Sequence, residues 1–390
     1  MVVIKRVSAK KILDSRGEGT IFVSLKVNSG KEFSASSPSG KSTGKYEVKP
    51  YKKNLEGDIN TLNKFEKYFS DEILETFEDL KRIEDILDGH VGANSLFAFE
   101  SAVLKAIASK NKKEIWEVVN PDLKENKKFP RLVGNCIGGG KHSEANKKRP
   151  DFQEFLTIPE TELPSKSESV NKKIKERVKF SLKKQDKNFE DEKNDEDAWL
   201  TSLNEKAVFD ILNLVDIPFG TDIAASEFYS RKKYSYDNPM LKRTEEEQLG
   251  YLSNLIKNYN LFYIEDPFQE KDYESFAKLL KKFPNSLIVG DDLTVTNSKR
   301  LQKAIEMKSI NAIIVKPNQC GSLLEVKKVC EMAKENNIKL VFSHRSGETE
   351  ETILADLAYG FQADFFKCGI TGKEREAKIN RLIEIEKKIS

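Results

Sequence analysis

The residues best suited to chemistry stand at the ends of short apolar runs. Ala312–Val315 is four apolar residues, three of them β-branched, and it ends in Lys316; such a run reads as a buried strand. A lysine closing a buried strand must be paired, lie in a wet cleft or be used for chemistry. Its neighbours favour chemistry. Ile217–Thr221 ends in Asp222, Phe262–Ile264 in Glu265-Asp266, and Leu287–Gly290 in Asp291-Asp292. Further on, Lys339–Ser343 ends in His344-Arg345-Ser346, and Ala363–Phe366 in Lys367.

The elements that must position these groups follow from their spacing. From 222 the successive steps are 43, 26, 25, 28 and 23 residues. After the first, each accommodates one strand, one helix and two turns, and helical patterns fill the gaps at 273–283, 299–307, 323–336 and 351–357. Parallel β/α units whose strands all end in polar or charged residues describe the active face of a closed barrel. Upstream, 2–8, 20–27 and 32–36 read as a β-meander, with turns at Arg16-Gly17 and Asn28-Ser29-Gly30. Helical patterns follow at 60–68, 80–87, 95–109 (amphipathic) and 113–119, and Pro121 with the polar stretch 124–128 marks a domain boundary. The expectation is an α+β N-terminal domain over residues 1–125 and an α/β barrel domain over 126–390. Two adjacent strands are expected at 132–134 and 151–158, joined by the turn Gly138-Gly139-Gly140-Lys141-His142. A basic helix at 168–184 and an acid-rich loop at 188–197 come next, and Trp199 implies that the loop's end packs inward.

Composition narrows the function classes. The chain has 390 residues, with 66 basic against 63 acidic side chains, so nothing in its charge calls for nucleic acid. Cys136, Cys320, Cys330 and Cys368 are scattered, as in proteins that keep reduced thiols in the cytosol. No apolar run approaches the ~20 residues of a membrane span, and the first residues read as a strand rather than a signal peptide. A soluble cytoplasmic protein is expected. Gly40-Lys41-Ser42 matches the end of a phosphate-binding P-loop, but Ala35 stands where that motif needs its first glycine, and the motif is rejected.

The ordered motifs resemble the enolase family over nearly the whole chain. They include Lys11–Gly17, Pro38-Ser39-Gly40 with Ser42-Thr43-Gly44, Gly92-Ala93-Asn94, Gly139-Gly140 with His142, and Asp151–Phe155. They continue through Asp222 with Ala224–Tyr229, Ile264-Glu265-Asp266, Gly290–Leu293, Lys316 with Asn318-Gln319, and Ser343–Glu350. The resemblance implies a (β/α)8-type barrel capped by the N-terminal α+β domain, and reversible dehydration of 2-phosphoglycerate to phosphoenolpyruvate. It implies two Mg²⁺ ions per active site, the second substrate-dependent, and a homodimer or larger homo-oligomer. Asp222, Glu265 and Asp291 match the metal ligands, hard oxygen donors suited to Mg²⁺, and Ser42 matches a lid ligand to the second ion. Three carboxylates converging without a cation would repel.

By the same resemblance Lys316 is the base that removes the carbon-2 proton, a role that requires its pKa to fall from about 10.4 towards neutrality. The general acid that helps hydroxide leave is a glutamate in an acidic loop, assisted by Glu154. The sequence offers Glu192 or Glu196; Glu196 is preferred because Asp195–Trp199 best matches the family's loop. His142, Gln153, His344, Arg345, Ser346 and Lys367 match substrate-binding positions, with Arg345 suited to bidentate contact with phosphate. The chain departs from the family at Lys41, Gly138, Asn194 and Asp197, the last two standing where glycine is usual. These departures support one alternative to a working enzyme, an enolase-like binding protein with weakened or lost turnover. A second, another acid-sugar dehydratase of the superfamily, would share the metal carboxylates but need a base on another strand, and the matched Arg345-Ser346 phosphate site argues against it.

Overall fold

The computed structural model describes residues 1–41, 44–69, 71–123, 128–143 and 148–389. The expected boundary stretch at 124–127 lies outside the described residues. Three strands open the chain, β1 (Ile4–Leu13), β2 (Gly19–Val27) and β3 (Glu32–Ser36), paired as an antiparallel meander. Ala35 sits inside β3, so no strand-to-helix turn exists where a P-loop would need one. The helix expected at 60–68 begins earlier, at Leu55, because the Asn54 side chain accepts the Gly57 N–H at 2.8 Å and caps it. It ends at Lys64, and a 3-10 turn covers Glu66–Phe69.

The helix Ala93–Asn111 is the spine of this N-terminal unit. Its sequence reads as amphipathic, yet residues on all its faces are buried. One side packs on β2 and β3 and another on the barrel segment Pro317–Cys320, so polar residues such as Asn94, Ser95, Glu100 and Ser101 are buried along with the apolar face.

The barrel begins with β4 (Arg131–Gly138), β5 (Glu154–Thr157) and β6 (Phe219–Asp222). Outside it, β7 (Tyr229–Ser230), β8 (Lys233–Asp237) and β9 (Met240–Arg243) make a small antiparallel sheet. Then β10 (Tyr263–Glu265), β11 (Leu287–Gly290), β12 (Ala312–Val315), β13 (Lys339–Ser343) and β14 (Phe365–Lys367) complete the closed ring, β14 pairing back to β4. One strand breaks the all-parallel expectation: β5 runs antiparallel to both β4 and β6. Among the described residues the link from β4 to β5 carries only the 3-10 turn Gly140–Ser143, and β5 starts where β4 stops.

Strand alternation sets what faces the barrel interior. Val133, Leu156, Tyr263, Val289, Ile314, Val341 and Phe365 belong to a buried apolar cluster of their own, separate from the main core. Two residues further towards the mouth on these strands stand Asn135, Glu154, Glu265, Asp291, Lys316, Ser343 and Lys367. An apolar floor therefore carries a polar layer directly above it. Among the described residues no helix is long and apolar enough to cross a membrane.

The N-terminal unit closes over this mouth. Ser39 and Gly347 exchange backbone hydrogen bonds at 2.7 and 2.9 Å, the Ser15 N–H reaches the Glu348 carbonyl at 2.7 Å, and Asn318 donates to Asn94 at 2.9 Å. Gly321 makes the joint possible: its φ is +82°, and a Cβ there would lie 2.6 Å from the Ala93 Cα. Gly321→Ala is expected to cost about 2–4 kcal/mol through backbone strain and overpacking. Gly250, inside the helix Glu245–Tyr259 with nothing within 4 Å of its would-be Cβ, should gain about 0.5–1 kcal/mol as alanine. Denaturant unfolding of the two variants checks the contrast.

Candidate active site

Five strand ends and the start of β5 bring the predicted groups to one cleft. His142, Gln153, Glu154, Glu196, Asp222, Asp291, Lys316, His344, Arg345, Ser346 and Lys367 all line it. Glu265 lies just beneath, fully buried, and bonded through Lys367 to the same set. Ser42, expected to reach a second metal ion, falls outside the described residues.

Lys367 is the electrostatic centre. Its Nζ lies 2.9 Å from Glu154 Oε2, 3.1 Å from Asp222 Oδ2 and 2.8 Å from Glu265 Oε2. Burial opposes its charge, but the three carboxylates outweigh burial and raise its pKa well above that of a free lysine. Glu265 also accepts the Tyr263 hydroxyl at 2.7 Å; burial and the Asp222 charge push its pKa well up.

Across the cleft, Lys316 pairs with Asp291 Oδ2, whose other oxygen accepts from Gln319 Nε2 at 3.0 Å. Burial alone would lower the Lys316 pKa, but Asp291 outweighs it and leaves the amine raised. That is opposite to what a base needs, because in this arrangement the full charge of Asp291 falls on the lysine. Asp266 stands behind, accepting the Asp291 and Asp292 N–H groups at 3.0 and 2.8 Å.

The third group is His142, Glu154 and Glu196. His142 Nδ1 lies 3.6 Å from Glu154 and 3.4 Å from Glu196. Burial lowers the pKa of His142, and burial with nearby Arg375 and Lys367 lowers that of His344 well below the usual value, so both imidazoles are neutral at pH 7. Burial and then the Glu196 charge push Glu154 up to about 8. Glu196 is buried, accepts from Asn135 Nδ2 at 2.9 Å and lies 3.8 Å from His344 Nε2. Glu192 is exposed. Trp199 is buried as its position implied, with its indole N–H on the Lys175 carbonyl at 3.1 Å.

Arg345 already holds a carboxylate. Both of its terminal nitrogens reach Glu47 at 3.1 Å, and Nη1 also reaches Asn318 Oδ1 at 3.1 Å. Glu47 was not singled out from the sequence; a lone acid just after the glycine-rich lid was its only signal. Asn135 was missed as well, although its place two residues beyond Val133 on one strand face would have pointed it into the barrel. Ser346 Oγ accepts the Lys41 N–H at 2.8 Å, and the Lys41 amine lies 3.9 Å from Asp195.

The residues fit a hard divalent cation. Asp222, Glu265 and Asp291 present carboxylate oxygens, the donors Mg²⁺ prefers, and contact the amines of Lys367 and Lys316, but among the described residues these three are not one of the sets whose ligand atoms converge. Ligand atoms of Asp266, Asp291 and Asp292 lie within 4.8 Å of one another, as do those of His142, Glu154 and Glu196.

A capped β/α barrel that sets a lysine against a carboxyl group across a ring of acids defines a class of lyases that remove a proton beside a carboxylate. The comparisons specify it further. The family models described as "Enolase, N-terminal domain" and "Enolase, C-terminal TIM barrel domain" match residues 4–119 and 126–390. An enolase of Methanosphaera stadtmanae is 37% identical over 413 aligned positions, covering 99% of this chain and 97% of its own length. Enolases of Methanocorpusculum labreanum and Pyrobaculum aerophilum are 35% and 34% identical, covering 99% and 96% of this chain and 99% and 94% of their own lengths. This chain belongs to the enolase family.

Two outcomes follow from the charge layer. Lys367→Met strands three buried carboxylates, so the metal-free variant should lose about 3–5 kcal/mol of stability, and Mg²⁺ should raise its melting temperature more than that of the parent. Between the ordinary carboxyl range and about pH 8 the folded Glu154 keeps a proton that the unfolded chain has lost. The metal-free protein should therefore lose stability as pH rises through that window, and Glu154→Gln should flatten the slope in thermal melts.

Proposed function

We propose that this chain catalyses the Mg²⁺-dependent, reversible dehydration of 2-phosphoglycerate to phosphoenolpyruvate, with Lys316 as base and Glu196 as general acid. The observation that carries the assignment is that these two side chains, one on each side of the Lys367 nest, line the same cleft as Arg345 and Ser346. Lys316 Nζ takes the proton from carbon 2. The electron pair left behind forms the carbon 2–carbon 3 double bond as hydroxide departs from carbon 3, taking a proton from the Glu196 carboxyl and leaving as water. Glu154 and His142 flank Glu196 in the cleft. Arg345 and Ser346 hold the phosphate, His344 and Gln153 line the cleft, and Lys367 meets the substrate carboxylate.

Asp222, Glu265 and Asp291 would hold one Mg²⁺, and a lid including Ser42 would complete a second site once substrate is present. When bound, Mg²⁺ supplies positive charge that stabilises the doubly charged carboxylate of the proton-abstraction step and draws the Asp291 charge away from Lys316. Lys41, next to Ser42, contacts Ser346 through its N–H and Asp195 through its amine.

We take the chain to divide into domains at residues 125–126, a reading supported by the family-model matches on either side. We also take the protein to be cytoplasmic, with four free cysteines, and to form a homodimer or larger homo-oligomer. No specific observation favours a binding protein without turnover or a different acid-sugar dehydratase.

The test separates the two proton transfers. Lys316→Ala should abolish exchange of the carbon-2 proton with deuterated solvent while metal still binds. Glu196→Gln should retain exchange and lose dehydration by about 10²–10⁴-fold, measured as enol phosphate formation with Mg²⁺. Normal exchange in the first variant, or a mild loss at Glu196 beside a severe one at Glu192→Gln, would overturn the assignment.

A further inference from the structure

The turn that carries Glu196 is held from behind by a buried cation. Lys175, on the inner face of the helix Pro164–Gln185, is 2% exposed. Its amine donates to Asp197 Oδ2 at 2.9 Å, to the Asp197 carbonyl and to the Thr371 hydroxyl. Lys193 closes on the same carboxylate at 2.9 Å from the solvent side, and the Thr371 hydroxyl also reaches it. The Asp197 carboxylate thus points away from Glu196 into its own cage, although the two residues are adjacent in sequence.

The backbone explains why such a cage exists. Asp197 has φ +63°, in the left-handed region that glycine enters freely and other residues enter at a cost. Asn194, three residues earlier, accepts the Glu196 and Ala198 N–H groups at 3.0 and 2.9 Å through Oδ1. Its amide nitrogen fills the space that a Cβ on Gly138 would occupy. Gly138 and Asn194 are therefore a matched pair across the loop. Asp197 is the remaining departure, and the cage of Lys175 and Thr371 compensates for it. The turn is further tied to β4 through Trp199, whose N–H reaches the Cys136 carbonyl at 3.0 Å.

We propose that Lys175 is a positioning residue for the proton-donating half of the reaction, fixing through Asp197 the turn that presents the Glu196 carboxyl to the leaving hydroxyl. The inference rests on Glu196 being the general acid. Lys175 touches neither substrate nor Lys316, so it acts on one proton transfer and leaves the other alone.

The test uses Lys175→Met, Asp197→Gly and the double variant, each assayed with Mg²⁺ for dehydration and for carbon-2 exchange in deuterated solvent. Lys175→Met should lose about 100-fold in kcat for dehydration, the scale of a misplaced catalytic group, with KM and exchange within about twofold. The double variant removes both charges and restores glycine at the left-handed position, so its dehydration rate should exceed that of either single variant. Strictly multiplicative losses would overturn the clamp, as would a Lys175→Met dehydration rate near that of the parent. A parallel fall in exchange and dehydration would also overturn it, since that marks general loosening of the barrel. Where Lys175→Met does not fold, Asp197→Asn, which tolerates the left-handed backbone, should show the same selective loss; an unchanged rate there overturns the proposal. Failure of the underlying reading looks different: Glu196→Gln would then keep full turnover whatever Lys175 does.

Discussion

Charge balance in a buried layer governs this molecule. Four acids and two lysines are packed into the mouth of a barrel whose floor is apolar, where an uncompensated charge is expensive. Lys367 bridges Glu154, Asp222 and Glu265, with burial pushing Glu154 and Glu265 towards their protonated forms, and Lys316 pairs with Asp291. The same arrangement that keeps the metal-free protein folded keeps the Lys316 proton in place. Stability and readiness for catalysis are thus opposed in the absence of a cation. On the proposed mechanism, a divalent ion held by these carboxylates would replace the counter-charge that the lysine supplies.

The barrel makes this layer by parity rather than by any special fold of the loops. Each strand alternates inward and outward, so the residue two places above an apolar floor residue must face the cleft. Tyr263 leads to Glu265, Val289 to Asp291, Ile314 to Lys316 and Phe365 to Lys367. Asp266 and Asp292, one place further along their strands, line the same cleft. Glu265 and Asp291 belong to the inward series, while Asp266 turns to receive the backbone N–H groups of Asp291 and Asp292. The reversed β5 extends the series, because it delivers Glu154 at its beginning instead of its end.

The loops refine what the barrel supplies. The N-terminal unit brings Glu47 onto Arg345 and the Lys41 N–H onto Ser346. The acid-bearing turn shows how departures from a family pattern are absorbed in packing. An asparagine fills the space left at Gly138, and an aspartate in a left-handed backbone is caged by Lys175 and Thr371.

Much of this was legible in the chain alone. Apolar runs ending in Asp222, Glu265, Asp291, Lys316, His344 and Lys367 at one-strand-one-helix spacing suffice for the barrel and its active face, since strand period and crossover length are local properties. Ordered motifs with chemical purpose identified Glu154 and His142. The direction of β5 was not read from the sequence, because the residue types of a strand as short as Glu154–Thr157 do not fix which way it runs. Nor was the burial of the Ala93–Asn111 helix on both sides, which depends on the barrel packing against a face that looks polar in isolation. The choice of Glu196 over Glu192 was confined by sequence to a short loop, and burial distinguishes them in space. Glu47, Asn135 and the Lys175–Asp197 pairing left only weak signals for a common reason: their partners lie 298, 61 and 22 residues away, and the tertiary fold decides which of these distant groups meet.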